Sequence, residues 1–368
     1  MIYNRIVIKL GTSTLTDGTN SLSMPQIIEL VRQISLLHDK GVQTILVTSA
    51  AMAAGRQELN YPELPKYLPA KQMLAAIGQP RLMEMYSQLF RIYGKIVAQI
   101  LVTRDDLSDR RRYINARNTL EAILGQGVIP IINENDTVAT EEIRVGDNDN
   151  LSALVVNLIE ADLLLILTDQ KGLYSKDPRK DSDAVLIKEI KDHGIPEVLW
   201  NMAGGSGTKL GTGGMNTKLE AADLARRSGA AVIIAWGKDP NVIFRSVNGE
   251  NTGTFFHPVT SKLESRKRYM LTGMRDSSRL IIDNGARTAL LIGGSLLPVG
   301  IIDLKGKFGR GDTVQICLKE GEVFSIGLVN YSAMDLKKII GHHTDEIEAI
   351  LGYTFGEEVV HHNDMVVL

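Results

Sequence analysis

The feature that most constrains the fold is a short apolar run that ends abruptly in polar side chains. Residues 128–132 are β-branched apart from one proline, which predicts a buried strand. Residues 133–136 then read Asn-Glu-Asn-Asp, and a second polar cluster, Asp-Asn-Asp-Asn at 147–150, precedes an apolar run at 151–159 with helical spacing. Asx residues before such a run favour an N-cap. Because ligands of open α/β sheets bind beside the carboxyl ends of strands, the sequence predicts a small-molecule site here.

Strand-like and helix-like segments alternate through the first two thirds of the chain. A first strand begins at Arg5, and further strands are predicted at 43–48, 96–103, 128–132, 161–168 and 231–235. Helices are predicted at 23–38, where Ser23 and Gln26 have capping-box spacing, at 66–93 with interruptions at Gly78 and Pro80, at 110–124 and at 219–227. Such alternation predicts an α/β fold with a mostly parallel open sheet and helices on both faces.

The pattern changes after about residue 258. A basic stretch at 262–268 suggests a linker, placed at 259–276, between a first domain at 1–258 and a small β-rich domain at 277–368. Short strands are predicted in the second domain at 279–282, 289–291, 301–304, 313–317 and 323–328, separated by glycine-containing turns.

Composition excludes several classes of protein. The formal net charge is -2, which argues against a generic nucleic-acid or membrane-surface binder. No apolar run approaches the roughly 20 residues of a membrane span, and the N-terminus lacks the order of a signal peptide. The single cysteine, Cys317, excludes an intrachain disulfide and a zinc site built on several thiolates. We therefore expect a cytoplasmic protein without a membrane partner.

Two lysines lie at turns that could hold phosphate. Lys9 lies near the carboxyl end of the first strand, beside a Gly-Thr-Ser turn that begins at Gly11. Lys218 ends a glycine-rich stretch, 204–218, that leads into a helix N-terminus. Taken singly, each could be an ordinary β-turn or a flexible linker. No Gly-Lys-Ser/Thr occurs, so neither is a Walker A loop.

Metal binding is not favoured by the pattern. The histidine pairs at 342–343 and 361–362 match no known ligand spacing, and adjacent histidines point in different directions. The acidic cluster also fails as an EF-hand, because the twelfth position counted from Asp147 is Leu158 rather than glutamate. We expect no metal site formed by the protein alone.

Together, these groups suit phosphoryl transfer. Cations and backbone amides would hold nucleotide phosphates, and the polar strand end would fix the acceptor. No general base is evident, which fits an acceptor that is already ionised, such as a carboxylate. Asp136 is a natural partner for a substrate ammonium, and Asp149 could lie between Lys9 and Lys218.

Six motifs, in this order and spacing, resemble the glutamate 5-kinase family of amino acid kinases. They are Ile-Lys-Leu-Gly-Thr-Ser at 8–13, Val-Thr-Ser at 47–49, Ile-Asn-Glu-Asn-Asp at 132–136, Val-Gly-Asp-Asn-Asp-Asn-Leu-Ser-Ala at 145–153, Leu-Thr-Asp-Gln-Lys-Gly-Leu-Tyr at 167–174 and Gly-Thr-Gly-Gly-Met-Asn-Thr-Lys at 211–218. Residues 285–314 resemble a PUA domain. The resemblance covers essentially the whole chain, and it implies an amino acid kinase domain followed by a PUA domain.

The resemblance also implies an activity and a set of site residues. The activity is ATP-dependent phosphorylation of the side-chain carboxylate of L-glutamate, the first step of proline biosynthesis. Lys9 and Lys218 would stabilise the transferring phosphoryl group, with Asp149 orienting them. The implied glutamate-binding residues are Ser49, Asp136 and Asn148, with Asn133 and Asp147 as weaker candidates. The implied ATP contacts are Lys9, Gly11, Thr168, Asp169, Thr212, Gly213, Gly214, Met215, Asn216, Thr217 and Lys218.

Further expectations follow from the family. Mg²⁺ would be held mainly by the nucleotide phosphates. The family implies a homo-oligomer with proline as feedback inhibitor. PUA domains often bind RNA, but residues 275–368 contain 9 Lys and Arg against 13 Asp and Glu, a balance of -4, so we expect no RNA binding here. The alternatives are an amino acid kinase with another acid acceptor and an RNA-binding protein with a vestigial kinase domain.

One position departs from the family. The family usually has Ser-Gly-Ala where this chain has Ser-Ala-Ala at 49–51. If Ala50 required a positive φ, the strain would be roughly 1–2 kcal/mol, whereas a helical φ would remove it. We expect the substitution to be tolerated.

Overall fold

The computed structural model describes residues 2–65, 67–139, 147–203, 214–264 and 274–367. The chain divides into two compact units, Met1–Ser261 and Lys262–Leu368. The division falls within the stretch predicted as a linker, 259–276. The first strand of the second unit begins at Met274, inside that stretch.

An eight-stranded sheet forms the centre of the first unit. Its strands are β1 (Arg5–Leu10), β2 (Gln43–Thr48), β3 (Val97–Val102), β4 (Ile129–Glu134), β5 (Leu163–Thr168), β6 (Glu189–Ile190), β7 (Ala231–Trp236) and β8 (Gly253–Phe256). The spatial order is β3-β4-β2-β1-β5-β7-β8-β6, and the pairing is parallel except between β7 and β8. The mostly parallel sheet expected from the alternation is confirmed.

Helices cover both faces of this sheet. They are α1 (Thr12–Leu15), α2 (Met24–Asp39), α3 (Ala51–Glu58), α4 (Leu68–Ile92), α5 (Arg104–Ser108), α6 (Arg110–Gly125), α7 (Asp147–Leu158), α8 (Glu197–Ala203), α9 (Met215–Arg227) and α10 (Val242–Val247). The main apolar core joins α2, α4 and α10 to one face. On β1 that face carries Ile6 and Ile8, so by the two-residue period of a strand Lys9 belongs to the other. Helix α7 packs on β1 and β5, and α9 packs on β5 and β7.

Strand β1 lies at the point where the chain connections diverge. It pairs with β2 on one side and with β5 on the other, and Lys9 is in register with Val47 and Ile166. The carboxyl ends of these parallel strands therefore meet at one edge. In open α/β sheets such a switch point is where ligands bind.

The predicted interruption of the long helix was wrong. Helix α4 runs unbroken from Leu68 to Ile92 with Pro80 inside it. Its packing against α3 explains why. A Cβ at Gly78 would lie 1.8 Å from the carbonyl oxygen of Ala51, and one at Gly55 would lie 2.0 Å from that of Leu74. The glycines allow the two backbones to touch, and this contact outweighs the local breaking tendency of Gly and Pro.

The capping predicted at two helix starts differs from the structure, although α2 begins directly after Ser23 as expected. Ser23 is the N-cap of α2 but makes no side-chain capping hydrogen bond. Gln26, the other half of the expected capping box, instead donates from Nε2 to the carbonyl oxygen of Gly237 at 2.6 Å. The Asx cluster at 147–150 lies inside the first turn of α7 rather than before the helix.

The second unit is built on a five-stranded sheet of order β10-β9-β11-β12-β13. Its strands are β9 (Met274–Ile282), β10 (Ile301–Lys305), β11 (Thr313–Cys317), β12 (Val323–Leu328) and β13 (Met365–Val367). Its helices are α11 (Asn284–Leu291), α12 (Ala333–Ile339) and α13 (Ile347–Leu351), with short 3-10 turns at Pro298–Gly300, Thr344–Glu346 and His362–Asp364. A separate core closes this unit.

The strand predicted at 289–291 was wrong, because those residues end α11. Asp283 caps that helix by accepting a 2.7 Å hydrogen bond from the backbone N–H of Ala286. The capping residue therefore outweighs the strand-like pattern of the three-residue apolar run, and the segment is helical. None of the helices in the described ranges is both long and apolar enough to cross a bilayer.

Candidate active site

A buried carboxylate joins the two lysines that the sequence singled out. Asp149, in the first turn of α7, is fully buried. Its Oδ1 lies 2.5 Å from Nζ of Lys9, and its Oδ2 lies 3.1 Å from Nζ of Lys218. Lys9 is the next-to-last residue of β1 and Lys218 lies at the start of α9, so three separate elements meet at one carboxyl group. The predicted placement of Asp149 between the lysines is the geometry that the structure has.

The charges in this cluster depend on one another. Burial by itself raises the pKa of Asp149, but Lys9 and Lys218 outweigh it and hold that pKa well below the ordinary carboxyl value. Burial lowers the pKa of Lys9, and Lys218 lowers it further, while Asp149 opposes both. The carboxylate thus compensates two closely spaced ammonium groups that would otherwise repel each other. By formal charge, two ammonium groups and one carboxylate give the cluster one net positive charge.

The start of α9 lies next to this cluster. The hydroxyl of Thr217 lies 2.7 Å from Oδ2 of Asp149 and 2.9 Å from the carbonyl oxygen of Gly214. Gly214 is the N-cap and provides no side-chain cap, so the first N–H groups of the helix are not satisfied by it. Oδ1 of Asn216 is buried and has no hydrogen-bond partner among the described residues. Thr212 and Gly213 lie outside the described residues.

The turn after β1 approaches Lys9 closely. Gly11 is the N-cap of the four-residue helix α1, and its carbonyl oxygen accepts from the backbone N–H groups of Thr14 and Leu15. A Cβ at Gly11 would lie 3.3 Å from Nζ of Lys9. Glycine therefore keeps the space above the ammonium open. This is a site where backbone can approach an anion.

Thr168 and Asp169 follow at the end of β5. Thr168 is buried, and its hydroxyl donates to Oδ1 of the exposed Asp169 at 3.0 Å. Thr168 is in register with Trp236, the last residue of β7. Both predicted nucleotide contacts therefore lie on the β5 side of the lysine cluster.

The opposite side of the site is a chain of neutral amides. Nδ2 of Asn148 donates to Oδ1 of Asn133 at 2.9 Å, and Nδ2 of Asn133 donates to Oε1 of Gln79 at 2.7 Å. The three residues lie on α7, β4 and α4. Asn148 also lies 2.9 Å from the carbonyl oxygen of Thr48 and 3.1 Å from Oγ of Ser49. Three of the five predicted glutamate-binding residues, Ser49, Asn133 and Asn148, are thus brought together.

The other two predicted residues lie after β4 and at the start of α7. Asp136 is half-buried in the turn that follows β4, where Asn135 accepts the backbone N–H groups of Val138 and Ala139. Asp147 begins α7, and its side chain lies outside the described atoms.

Ala50 adopts a left-handed backbone conformation, with φ 76° and ψ 12°. It is the N-cap of α3, directly after Ser49, and its side chain is buried in the main core. An alanine in this conformation costs roughly 1–2 kcal/mol. The alternative of a helical φ does not hold, so the chain tolerates the strain rather than avoiding it.

Gln79 was missed by sequence reasoning. It is 9% exposed, and it lies on the buried face of α4 next to Gly78. The available signal in the sequence was a glutamine on an otherwise apolar face of the predicted helix. The sequence alone did not reveal which strand end it would meet.

Comparison with known proteins gives the family. Residues 4–235 match the amino acid kinase family, and residues 278–351 match the PUA domain. The chain is 53% identical to the glutamate 5-kinase of Shewanella amazonensis over 367 residues, which cover 100% of this chain and 96% of that protein. The chain belongs to the glutamate 5-kinase family. The Vibrio campbellii member is 52% identical over 364 residues, covering 99% of this chain and 96% of its own.

A solved structure supports the fold independently. The UMP kinase of Bacillus anthracis aligns with a TM-score of 0.50 and 16% identity, covering 71% of this chain and 98% of its own. At that identity only the fold is shared. The predicted amino acid kinase fold with a β-rich PUA domain is confirmed, and the chain is a kinase by its family.

Proposed function

We propose that this chain transfers the γ-phosphoryl group of ATP to the side-chain carboxylate of L-glutamate, forming L-glutamyl 5-phosphate for proline biosynthesis. The observation that carries the proposal is the Lys9–Asp149–Lys218 cluster at the switch point of the sheet. The identity of 53% to a named glutamate 5-kinase over the whole chain supports the choice of acceptor.

The charged cluster stabilises the transition state of phosphoryl transfer. The transferring group spreads negative charge over its oxygens, and preorganised cations stabilise that charge best. Asp149 holds both ammonium groups in place before the reaction, so little reorganisation is needed. Neither lysine needs to take up or release a proton, because a carboxylate acceptor is already ionised at neutral pH.

The amide side positions the acceptor. Ser49 and Asn148 lie together beside the lysine cluster and form the acceptor pocket, with Asp136 pairing with the substrate ammonium. Asn133 and Asp147 contribute less directly. Neutral amides and one carboxylate suit an amino-acid substrate. They can bind its charged groups without neutralising the side-chain carboxylate that attacks the phosphoryl group.

The nucleotide is held on the β5 side. Gly11, Thr168, Asp169 and the run 212–218 contact ATP in this proposal. Two observations support nucleotide binding here: the start of α9 has no side-chain cap, and Oδ1 of Asn216 is buried without a partner among the described residues. Mg²⁺ bound to the phosphates supplies further charge neutralisation. Within the described ranges, no group of three or more His, Cys, Asp or Glu side chains is placed to hold a metal ion.

Trapping the acyl phosphate as a hydroxamate tests the proposal. L-Glutamate, N-acetyl-L-glutamate and L-aspartate are offered in parallel with ATP, Mg²⁺ and hydroxylamine. We expect product with glutamate only. Turnover with another acceptor alone favours a different amino acid kinase, and no turnover with tight, salt-sensitive RNA binding favours the RNA-binding alternative.

The remaining expectations are part of the proposal. The enzyme acts in the cytoplasm as a homo-oligomer, with domains at 1–258 and 277–368, and proline inhibits it. The acidic balance of the PUA domain supports a structural or regulatory role rather than RNA binding. Adding proline to the hydroxamate assay tests the inhibition, and measuring the mass in solution tests the oligomeric state.

A further inference from the structure

Backbone groups fix the direction of the amide chain at two points. The carbonyl oxygen of Thr48 can only accept, so the atom of Asn148 that faces it must be Nδ2. The backbone N–H of Glu134 can only donate, and it lies 2.9 Å from Oδ1 of Asn133. Nδ2 of Asn133 must therefore be the atom that faces Gln79. Hydrogen-bond polarity therefore fixes which atom is oxygen and which is nitrogen in all three amides.

The consequence is visible at Asn148. The two N–H bonds of Nδ2 have three acceptors within reach, on Thr48, Ser49 and Asn133. Oδ1 of Asn148 is buried and has no hydrogen-bond partner in the described part of the chain. At the Asn148 end the amide chain thus leaves an acceptor unused, whereas at the far end Nε2 of Gln79 is a buried donor without a partner among the described residues. A buried acceptor without a partner costs about 1–3 kcal/mol, so a ligand N–H that meets it gains binding energy.

We infer that Gln79 is a positioning residue for the amino-acid substrate, acting through Asn133 to hold Asn148 with its carbonyl oxygen toward the substrate ammonium. This inference rests on the proposed function. Oε1 of Gln79 accepts a hydrogen bond from Nδ2 of Asn133, and without that acceptor this buried donor would be unpaired. The side-chain amide of Asn133 would then have to rotate to pair its N–H group. That rotation would remove the acceptor that holds Nδ2 of Asn148.

Asn133 then has a different role from the direct glutamate contact that the family resemblance implied. Asn133 is 2% exposed, and both of its polar atoms are used by other residues of the chain. With both atoms engaged within the chain at a buried residue, Asn133 is poorly placed for a ligand contact of its own. Its effect on glutamate binding passes through Asn148.

The test compares Gln79→Met with Gln79→Glu. Methionine keeps the length of the side chain and removes the acceptor. Glutamate at this buried position keeps an acceptor oxygen, whether ionised or protonated. We expect Gln79→Met to raise the KM for glutamate about tenfold with the KM for ATP changed less than twofold, and Gln79→Glu to recover most of the loss. Equal rises in both KM values, or no rise, would overturn the inference.

A second readout separates positioning from a general loss of structure. Glutarate lacks the α-ammonium, so the parent enzyme should prefer glutamate to glutarate, and Gln79→Met should shrink that preference. In an Asn148→Ala background the substitution at Gln79 should have no further effect on the KM for glutamate, because its only route is gone. Additive effects would contradict the inference even if Gln79→Met folds poorly alone.

Gln88→Met is the matched control, since Gln88 is exposed on the same helix. It should change neither KM. The parent enzyme must first turn over glutamate in the hydroxamate assay. If it does not, the proposed function fails; if it does and Gln79→Met behaves as the parent, only the role of Gln79 fails.

Discussion

The charged cluster and the amide chain lie at the same edge of one sheet but are built on opposite principles. Around Asp149, three ionised groups compensate one another within the protein. Around Asn148, the groups are neutral, and the hydrogen bonds leave buried atoms of Asn148 and Gln79 without partners in the described chain. The first arrangement is complete before any ligand arrives, whereas the second is completed by a ligand.

This difference fits the two tasks. A group that stabilises a transition state must be fixed in advance, because reorganisation during the reaction raises the barrier. A group that selects a substrate gains specificity when the correct ligand supplies the missing partner and an incorrect one does not. Substitutions in the charged cluster should therefore act mainly on kcat, and substitutions in the amide chain mainly on glutamate binding.

The largest effect is expected for Asp149→Asn. The variant leaves two buried ammonium groups close together without their carboxylate. We expect kcat to fall by roughly 10³-fold and the free energy of unfolding to fall by about 3–5 kcal/mol, measured by initial rates and urea denaturation. Asp39→Asn, which breaks a surface pair with Lys95, should cost less than about 1 kcal/mol. An unchanged kcat in Asp149→Asn would remove the cluster from the mechanism.

Lys218→Ala should come next. Its ammonium acts on the transferring group, so we expect kcat to fall by roughly 10²-fold with the KM for glutamate nearly unchanged. Arg227→Ala, at the exposed end of the same helix, is the control and should leave both values as they are. A rise in the KM for glutamate at constant kcat would assign Lys218 to substrate binding instead.

Ionisation of Asp149 should also make the free energy of unfolding depend on pH. The pKa of Asp149 is lower in the folded state than in the unfolded state, where a carboxyl titrates near pH ~4. Its contribution is therefore fully present above that pH and is lost as the pH falls toward the lower folded value. We expect the difference in unfolding free energy between the parent and Asp149→Asn to stay constant from pH 7 to 5 and to narrow below pH 4. Narrowing between pH 7 and 5 would contradict this sign.

The smallest effect is expected for Ala50→Gly, beside the amide chain. Glycine relieves the left-handed strain of roughly 1–2 kcal/mol, but it loses a buried methyl and increases the entropy of the unfolded chain. We expect a net gain of about 0.5 kcal/mol in the free energy of unfolding. Ala53→Gly, within helix α3, should instead cost about 1 kcal/mol. A loss of stability in Ala50→Gly would show that the core contact of the methyl outweighs the strain.

Most of the strands could be read from sequence because they are short buried runs, although β6, β8 and β13 were not predicted. β2 and β11 have the bounds that the patterns predicted, 43–48 and 313–317. Buried parallel strands show up as apolar runs because both faces are covered. The motifs then placed Lys9, Asp149 and Lys218 correctly, since strand ends and helix starts fix where such residues meet.

Two features that the sequence missed depended on contacts between distant segments. The continuity of α4 depends on its glycine contact with α3, and the role of Gln79 depends on β4. The left-handed φ of Ala50 was weighed only as one of two options, because no rule derives a strained φ from an Ala-Ala pair. Local patterns carry no information on such tertiary choices.

Titrating glutamate into two variants tests the division of tasks most directly. Isothermal titration in the presence of Mg²⁺ and a non-hydrolysable ATP analogue reports binding without catalysis. We expect Lys218→Ala to bind L-glutamate with an affinity within about threefold of the parent and Asn148→Ala to bind it at least tenfold more weakly. The reverse order, or equal losses in both variants, would contradict the separation of the charged cluster from the amide chain.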